Sequence, residues 1–246
     1  MKCLILAAGY ATRMYPLTLH TPKPLLDVGG RTIIDRLLDK LEKVAGLDEC
    51  IVVSNAKFFE QFCVWARERS SPWPLEVVND GSTDNENRRG AVADIQFAVQ
   101  EKKLACDLLV LAGDNIFDFE LSAFAEFFRR VGCDCITAHR LDDVEQLRRT
   151  GVIEADENGR VLSFEEKPAA PKSNLAVPPF YLYRKETLPL FAEYLAGGSN
   201  PDAPGNFIPW LLARRRVAAF FFEGRRYDIG TLKTYEELCR ALSCLK

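Results

Sequence analysis

Small residues and one arginine follow the first apolar run of the chain. Residues 4–26 read LILAAGYATRMYPLTLHTPKPLL, and the apolar start predicts a buried strand over Lys2–Ala7. Main-chain N–H groups of small residues can come close to a polyphosphate, and the guanidinium of Arg13 suits phosphate oxygens. The small residues of this first loop (residues 7–13) are Ala7, Ala8, Gly9, Ala11 and Thr12. An ordinary strand-to-loop turn also fits, because the loop lacks the GK[ST] ending of a Walker A site and the GxGxxG of a dinucleotide site.

Three charged residues farther along the chain could act on the same kind of ligand. Lys23 stands between Pro22 and Pro24, whose fixed φ angles restrain the backbone around one cation. Asp114 follows a predicted strand, and ligands of open α/β sheets bind beyond the carboxyl ends of strands. Asp228 lies in a short DIG segment, and Mg²⁺ takes one or two carboxylates together with phosphate oxygens and waters. Each aspartate could also be only a turn former or a cap.

Taken together, these segments resemble the sugar-phosphate nucleotidylyltransferases, a family that includes glucose-1-phosphate thymidylyltransferases and mannose-1-phosphate guanylyltransferases. The family signature is LAxGxGTRxxPxT followed by PKPx, and residues 6–18 and 22–25 are similar to it. Four further blocks follow in family order: AGDN at 112–115, EEKP at 165–168, SNLAVPPFYLY at 173–183 and YDIGT at 227–231. The resemblance therefore covers nearly the whole chain.

The resemblance implies a reaction and a nucleotide site. A nucleoside monophosphate would pass from an NTP to a sugar 1-phosphate, giving an NDP-sugar and pyrophosphate. Arg13, Lys23 and Asp114 would be the catalytic residues, with Lys23 at the α-phosphate under attack. The implied nucleotide-binding residues are Ala7, Ala8, Gly9, Thr12, Arg13 and Gly90. Gly90 would lie near the nucleobase, although a helix-start glycine explains it nearly as well.

The resemblance also implies an acceptor site and a metal. Lys167 would hold the acceptor phosphate, and Glu166 would contact sugar hydroxyls. Mg²⁺ would be the cofactor, with Asp114 and Asp228 as its ligands. The implied acceptor-binding residues are Asn115, Gly151, Glu166, Lys167 and Val177. Because the acceptor phosphate is itself the nucleophile and is mostly deprotonated at neutral pH, the reaction needs no general base.

Three departures from the family pattern leave the substrates open. Ala11 replaces the second glycine of the first loop and requires a compatible φ. Pro178 and Pro179 stand where the family often has a glycine beside the sugar, and the polar loop 80–89 does not match the base-contacting segment of the family. The reaction type is unaffected, but the base and the sugar are not determined.

The order of apolar runs and amphipathic stretches predicts the fold class. We expect a three-layer, Rossmann-like α/β fold with a mostly parallel central sheet and an inserted acceptor-binding lobe. The predicted strands are Lys2–Ala7, Glu49–Ser54, Leu75–Asn79, Asp107–Ala112, Cys133–His139, Gly151–Ala155, Val161–Glu165, Val177–Tyr183 and Ala218–Glu223. The predicted helices are Arg31–Val44, Lys57–Arg69, Gly90–Lys103, Glu120–Arg130 and Leu232–Leu245.

The chain contains no internal repeat or clear linker, which favours one nucleotidyltransferase domain over residues 1–246. Its parts would be an NTP-binding half (1–117), a mainly acceptor-binding lobe (118–219), and a segment with the second metal ligand and a closing helix (220–246). No acyltransferase extension of hexapeptide repeats is expected.

The composition of the chain limits which binding partners and which cellular compartment we expect. The 246 residues carry 32 Lys and Arg against 35 Asp and Glu, so no basic field exists to hold nucleic acid or an anionic membrane. No apolar run approaches the roughly 18 residues of a membrane span, and no signal peptide is recognisable. The eight cysteines contain no CxxC pair, which favours reduced thiols. We therefore expect a cytoplasmic protein whose partners are an NTP and a phosphorylated small molecule, with a homo-oligomer left open.

Three rival functions remain at this point. A cytidylyltransferase for phosphocholine or a related phosphoalkyl amine would share the first loop and the magnesium chemistry. It would need aromatic groups for a cation, and Phe180, Tyr181 and Tyr183 keep it open. A non-catalytic nucleotide sensor would not need Lys23 and Lys167 as well as the two aspartates. A dinucleotide-dependent oxidoreductase is disfavoured because the fingerprint glycines are absent.

Overall fold

A computed structural model of the chain describes residues 1–227 and 229–243. The strands are β1 (Lys2–Leu6), β2 (Glu49–Ser54), β3 (Leu75–Asn79), β4 (Leu108–Ala112), β5 (Ile116–Phe117), β6 (Asp134–Arg140), β7 (Gly151–Ala155), β8 (Val161–Glu166), β9 (Leu175–Val177), β10 (Phe180–Tyr183), β11 (Val217–Phe221) and β12 (Arg226–Tyr227). The α-helices are α1 (Ile33–Leu41), α2 (Phe59–Glu68), α3 (Ala91–Glu101), α4 (Leu121–Val131), α5 (Val144–Leu147), α6 (Leu190–Ala196), α7 (Phe207–Leu212) and α8 (Leu232–Ser243). Single 3₁₀ turns occupy Thr12–Met14, Lys23–Leu25, Lys185–Thr187 and Pro204–Asn206.

The chain forms two compact units, each built from three separate stretches of sequence. The first unit contains Ile5–Arg88, Ala112–Ser122 and the chain from Gly224 onward. The second unit contains Met1–Leu4, Arg89–Leu111 and Ala123–Glu223. The predicted division at residues 117 and 219 remains a prediction.

In the first unit, β2 and β3 pair in parallel, with Cys50 opposite Leu75 and Ser54 opposite Asn79. A second, two-stranded ribbon pairs β5 with β12 in antiparallel fashion. Helix α1 begins where the Thr32 hydroxyl accepts a hydrogen bond from the Asp35 amide at 3.1 Å, a normal N-cap. Its apolar residues recur every three or four positions, and this periodicity buries one face of the helix.

In the second unit, β10 lies antiparallel to both β4 and β6, and β11 adds a parallel partner to β6. Strand β7 pairs with β8 on one side and β9 on the other, and β9 also pairs with β6. Aromatic rings fill the core beside β10, where Tyr183 meets Phe191 edge to face at 5.1 Å and Phe191 stacks on Phe207 at 4.2 Å. Such ring pairs add about 0.5 to 1.5 kcal/mol each beyond the buried area.

The predicted α/β class with its large central sheet is confirmed, and most predicted elements differ from the observed ones only by a few terminal residues. One strand was wrong: Val177–Tyr183 is two strands, β9 and β10. Pro178 and Pro179 have no N–H to donate to a neighbouring strand, so the ladder breaks there. The Phe180 amide instead bonds the Pro178 carbonyl at 2.8 Å.

Two further observations concern membrane-spanning helices and the state of the cysteines. No helix among the described residues combines the length and the apolar character needed to cross a membrane. The seven cysteines within residues 1–227 and 229–243 are free thiols.

Candidate active site

The first loop leaves β1 and is held by a buried asparagine. Asn55, completely buried, donates from Nδ2 to the Ala8 carbonyl at 2.9 Å and accepts the Phe58 amide at 3.0 Å. The Ala7 amide bonds the Val53 carbonyl at 2.9 Å. These bonds fix residues 7 and 8, which are buried, and leave Gly9 exposed at the loop surface.

The next turn of the loop is organised around the carbonyl of Ala11. Ala11 has φ 47° and ψ 42°, a left-handed conformation that favours glycine. Its carbonyl accepts the Met14 amide at 2.9 Å and the hydroxyl of the fully buried Thr18 at 2.8 Å. The alanine noted as a departure from the family pattern therefore adopts the backbone that a glycine would adopt, at a conformational cost.

Arg13 is an exposed cation at the end of the first loop. It lies in the 3₁₀ turn Thr12–Met14 and lines a cavity. Within the part of the chain that the structure describes, its guanidinium has no ion-pair or hydrogen-bond partner. A guanidinium offers donors of the kind that bind phosphate oxygens.

Lys23, in contrast, is buried and paired. The 3₁₀ turn Lys23–Leu25 follows Pro22, whose extended backbone precedes the turn. The side chain is 10% exposed, and Nζ donates to Oδ2 of Asp114 at 2.6 Å. The two prolines thus hold the lysine in a buried position that a solvated surface lysine would not require.

Asp114 accepts a hydrogen bond on each of its carboxylate oxygens. Besides Lys23, its partner is Asn115, whose Nδ2 donates to Oδ1 at 2.9 Å. Asn115 is 3% exposed, and its own Oδ1 accepts from Nε of Arg226 at 2.7 Å. Partial burial by itself raises the pKa of Asp114, but the charge and hydrogen bond of Lys23 and the charge of Arg226 outweigh it and lower the pKa. The carboxyl group is therefore ionised at neutral pH.

A glycine allows the aspartate segment to approach the end of β1. The Gly113 amide bonds the Leu6 carbonyl at 2.9 Å. A Cβ at position 113 would lie 2.9 Å from Ile5 Cγ2 and 3.2 Å from the Leu6 oxygen. Packing against the backbone of residue 6 thus explains the glycine of the GDN sequence.

These residues surround a cavity of about 180 Å³ in the first unit. Its lining residues are Leu6, Ala7, Gly9, Ala11, Arg13, Met14, Lys23, Pro24, Asp114, Ile229 and Gly230. Ligand sites for whole drug-sized molecules measure roughly 300 to 1,000 Å³. The cavity has the size for the phosphate end of a nucleotide, and its polar lining comes mainly from two cations and one carboxylate.

Three of the predicted acceptor residues are neighbours in the sheet of the second unit. Gly151 of β7 is opposite Glu166 of β8 and opposite Val177 of β9. A Cβ on Gly151 would come within 2.4 Å of Cζ of Phe164, so the glycine lets this ring pack across β7. The Glu166 carboxyl packs against Gly205, where a Cβ would lie only 2.1 Å from Oε2. Burial raises the pKa of Glu166, and the charge of Lys167 lowers it less strongly.

Lys167 follows Glu166 in a left-handed conformation, with φ 49°. Its amide bonds the Thr150 carbonyl at 3.1 Å, and its side chain is 58% exposed with Nζ 3.9 Å from Oε1 of Glu166. The left-handed turn ends β8 and releases the lysine to the surface of the unit. Asn115, the fifth predicted acceptor residue, belongs to the first unit.

Comparison with known proteins identifies the family. Residues 2–243 match the family described as nucleotidyl transferase. The chain belongs to this family. Among its relatives, the glucose-1-phosphate adenylyltransferase of Thermomicrobium roseum is 30% identical over 97% of this chain and 59% of its own length. The enzyme of the same name from Clostridium acetobutylicum is 28% identical over 95% of this chain and 65% of its own length.

The chain spans about three fifths of the length of these curated relatives. It also superimposes on a crystal structure of UDP-glucose pyrophosphorylase complexed with UDP-glucose, with a TM-score of 0.84, 21% identity and coverage of 100% of this chain and 99% of the other. At that identity the likeness concerns the fold alone. The predicted family resemblance and fold class are both confirmed.

Within the nucleotidyl transferase fold, the predicted site residues fall into groups. The cavity of the first unit is lined by Ala7, Gly9, Arg13, Lys23 and Asp114. Ala8 lies behind the loop surface and Thr12 is exposed beside it. Asp228, the predicted second metal ligand, lies outside the described residues, so its role stays a prediction.

Gly90 belongs to the second unit and has a structural explanation there. It has φ 91° and precedes α3. A Cβ would lie 2.6 Å from the carbonyl oxygen of Pro201 and 3.0 Å from Cα of Asp202. Close backbone packing thus requires glycine, and a role near the nucleobase remains a prediction.

Sequence analysis assigned no role to three residues that shape the candidate site: Asn55, Thr18 and Arg226. Asn55 and Thr18 are polar, yet both are fully buried with their hydrogen bonds directed at the first loop. No spacing signal marks Asn55, whose partners are backbone groups. Thr18 is the closing threonine of the LAxGxGTRxxPxT signature, which gave it no separate role. Arg226 stands two positions before Asp228, and this proximity to the YDIGT block was the available signal.

Proposed function

We propose that this chain transfers a nucleoside monophosphate from an NTP to a sugar 1-phosphate and releases pyrophosphate. A phosphate oxygen of the acceptor bonds to the α-phosphorus, and the bond from the α-phosphorus to the bridging oxygen breaks. Pyrophosphate leaves with that electron pair. The observation that carries the proposal is the cavity lined together by Arg13, Lys23 and Asp114 at the end of β1.

The cations of this cavity have the charge that the reaction needs. The acceptor phosphate and the triphosphate are both anions, so their approach is repulsive unless cations neutralise them, above all in the transition state. A lysine ammonium has three donors, and Asp114 takes one of those of Lys23. Lys23 can therefore donate to the α-phosphate while it remains bonded to Asp114, and the exposed Arg13 can bind phosphate oxygens farther along the NTP.

Asp114 also fits as a ligand of Mg²⁺. A carboxylate has about four acceptor positions, and Lys23 and Asn115 occupy one on each oxygen. No cluster of three metal-ligating side chains occurs in the described ranges 1–227 and 229–243, which suits an ion that takes one or two carboxylates. We assign Asp114 as one ligand and Asp228, by the family resemblance, as the other. When bound, the ion supplies positive charge to the phosphates that react.

The acceptor is assigned to residues of β7, β8 and β9. Gly151, Glu166 and Val177 are cross-strand neighbours, and Lys167 offers an exposed ammonium at the end of β8. We propose that Lys167 binds the acceptor phosphate and that the carboxyl of Glu166 accepts hydrogen bonds from sugar hydroxyls. Asn115, the fifth of these residues, has both ends of its side-chain amide engaged by Asp114 and Arg226.

A matrix of substrates tests the proposal. Five NTPs are combined with several sugar 1-phosphates and with phosphocholine, and pyrophosphate release is measured with Mg²⁺ and after chelation. We expect release with at least one sugar 1-phosphate, and only with the metal. Release with phosphocholine but with none of the sugar 1-phosphates would replace the proposed acceptor class. If none of the acceptors gave release, the transfer itself would be contradicted.

The aromatic residues that favoured an amine acceptor are buried in the core. Phe180, Tyr181 and Tyr183 are each at most 2% exposed. Their rings are thus engaged in packing and are not free to enclose a quaternary ammonium. A cytoplasmic location and a homo-oligomer stay predictions.

A further inference from the structure

Arg226 connects the β5 and β12 ribbon to the carboxylate of Asp114. In that ribbon Arg226 is opposite Phe117, two residues after Asn115. The half-buried guanidinium donates from Nε to Oδ1 of Asn115 at 2.7 Å, and Nδ2 of Asn115 donates to Oδ1 of Asp114 at 2.9 Å. A continuous chain of hydrogen bonds thus runs from Arg226 through a buried amide to the aspartate.

We infer that Arg226 is a positioning residue that orients the Asp114 carboxylate through the side-chain amide of Asn115. The inference rests on the proposed nucleotidyl transfer, in which Asp114 holds Mg²⁺. An asparagine amide has an acceptor end and a donor end, and rotation by 180° exchanges them. A guanidinium can only donate and an ionised carboxylate can only accept. Arg226 therefore keeps the acceptor end of Asn115 toward itself and the donor end toward Asp114.

The same chain of bonds determines which positions of the carboxylate stay free. Asn115 holds Oδ1 and Lys23 holds Oδ2, so the carboxylate is held from both sides. Without Arg226 the buried amide could turn its oxygen toward the carboxylate, and the two oxygens would repel each other. Mutating a residue that hydrogen-bonds a metal ligand typically lowers metal affinity by about 10- to 100-fold. We expect an effect of this size for Arg226.

A direct contact between Arg226 and phosphate is the alternative, and the metal separates the two roles. The probe is inorganic tripolyphosphate, which carries the phosphates of an NTP without a base. Its Kd is measured by calorimetry with Mg²⁺ and with EDTA for the wild type, Arg226→Met, Arg226→Lys, Asn115→Ala and the Asn115→Ala, Arg226→Met double variant. Arg225→Met is the matched control, because Arg225 is an exposed neighbour whose bonds to Asp118 involve only its backbone.

We expect Arg226→Met to weaken binding at least about tenfold with Mg²⁺ and less than about twofold with EDTA. Arg226→Lys, which keeps a donor, should lose less, and the double variant should bind no worse than Asn115→Ala alone. Equal losses with and without Mg²⁺, an Arg226→Met variant that behaves as Arg225→Met does, or additive losses in the double variant would each overturn the inference. Should Arg226→Met not fold, Arg226→Lys is the test, and its smaller loss must still be greater with Mg²⁺ than with EDTA.

The transfer activity is judged separately by pyrophosphate release from the wild type. Mg²⁺-dependent binding that is sensitive to Arg226, in a wild type that never releases pyrophosphate, would refute the proposed function and keep the positioning role. Pyrophosphate release by the wild type, together with no Mg²⁺-selective loss of tripolyphosphate binding in Arg226→Met, would keep the proposed function and refute the positioning role. A wild type that binds tripolyphosphate equally with and without Mg²⁺ would contradict both.

Discussion

Some glycines of the chain are required by close packing, whereas one glycine leaves room for a ligand. The space around each residue distinguishes the two cases. A Cβ at Gly113 or Gly151 would collide with neighbouring atoms at 2.9 and 2.4 Å, so packing alone requires these glycines. At Gly9 no atom of residues 1–227 or 229–243 lies within 4 Å of the added carbon, and the residue lines the cavity. The absence of a side chain at position 9 therefore keeps open a surface that the described part of the chain does not fill.

Gly9→Ala should leave the fold intact and impair the proposed reaction. The backbone at position 9 is not left-handed, and the methyl group would meet no atom of the residues that the structure describes. It would, however, project where main-chain amides are proposed to approach the phosphates. We expect the free energy of unfolding to change by less than about 0.5 kcal/mol and kcat/KM for the NTP to fall at least about tenfold, or about 1.4 kcal/mol.

Gly197→Ala is the matched control for that variant. Gly197 also has a negative φ, and its Cβ would make only ordinary contacts at 3.5 Å or more, at the end of α6. Both variants should unfold alike. Normal kinetics in Gly9→Ala would remove this residue from the NTP site.

Arg13→Ala should separate activity from stability in the same way. The side chain is exposed and has no partner among the described residues, so its loss should change the free energy of unfolding by less than about 0.5 kcal/mol. Turnover should fall at least about a hundredfold, the scale expected when a charge contact to the transition state is lost. Arg149→Ala, which removes another exposed arginine, should behave as the wild type. Turnover of Arg13→Ala within a fewfold of the control would contradict the assignment.

At the scale of elements, the first loop stores conformational strain. A left-handed conformation costs a residue with a Cβ roughly 1 to 2 kcal/mol, whereas glycine loses about 0.5 to 1 kcal/mol more chain entropy on folding than alanine. For Ala11 the difference predicts that Ala11→Gly raises the free energy of unfolding by about 0.5 kcal/mol. Ala11→Val should lower it by at least about 1 kcal/mol, because β-branched residues tolerate this region least. Urea unfolding measures both, and a stabilised valine variant would refute the strained loop.

The start of β6 predicts a dependence of stability on pH. Asp134 is 2% exposed and accepts the Arg184 amide at 2.7 Å and the Thr187 hydroxyl at 2.8 Å. Burial raises its pKa to about 6, although those hydrogen bonds and the charges of Arg215 and Arg184 act in the opposite direction. Because folding raises the pKa of this carboxyl, protonated Asp134 adds to the free energy of unfolding. This contribution is complete below about pH 4 and is lost as the pH rises through 6.

Asp134→Asn should remove this dependence, because the amide does not ionise. We expect the free energy of unfolding of the wild type, relative to the variant, to fall by about 2.5 kcal/mol between pH 4 and 7, at no more than roughly 1.4 kcal/mol per pH unit. Urea unfolding of both proteins across that range provides the measurement. A constant difference between the two would show that folding does not raise the pKa of Asp134.

The elements that sequence predicted well are those with a strong local pattern. β2 and β3 were placed to the residue, because each is a short apolar run bounded by polar residues. Helices α6 and α7 were not predicted, since each has only about two turns and its aromatic residues serve a shared core. β9 and β10 were merged because apolar residues continue through Pro178 and Pro179, where the missing N–H groups end the ladder. At the site, motif residues such as Lys23 were predictable, whereas Asn55 holds the first loop through the carbonyl of Ala8, which the fold brings to it.

At the scale of the whole molecule, the predicted site residues are divided between the two units. The residues that line the cavity with Arg13 and Lys23 belong to the first unit, and the cross-strand set around Glu166 belongs to the second. The proposed roles follow the same division, with the NTP phosphates assigned to one unit and the acceptor mainly to the other. Variants in the two units should therefore affect different substrates.

Lys167→Ala should impair the acceptor alone. Losing one charge-assisted contact to a phosphate costs about 1.5 to 3 kcal/mol, so kcat/KM for the acceptor should fall at least about tenfold. The Kd of tripolyphosphate, measured without acceptor, should stay within about twofold. Lys185→Ala is the matched control, since its side chain is 60% exposed against 58% for Lys167. A Lys167 variant that loses tripolyphosphate affinity and keeps normal acceptor kinetics would place this lysine at the NTP.

The positions of the two units in the sequence determine which unit is completed first during synthesis. The first unit takes its last stretch from Gly224 onward, and Ile229 and Gly230 of that stretch line the cavity. The second unit draws its residues from Met1 to Glu223. On the ribosome, the second unit can thus be complete while the first still lacks one wall of its cavity. A nascent chain arrested before residue 229 would display Arg13 and Lys23 without the closed surroundings that the finished protein gives them.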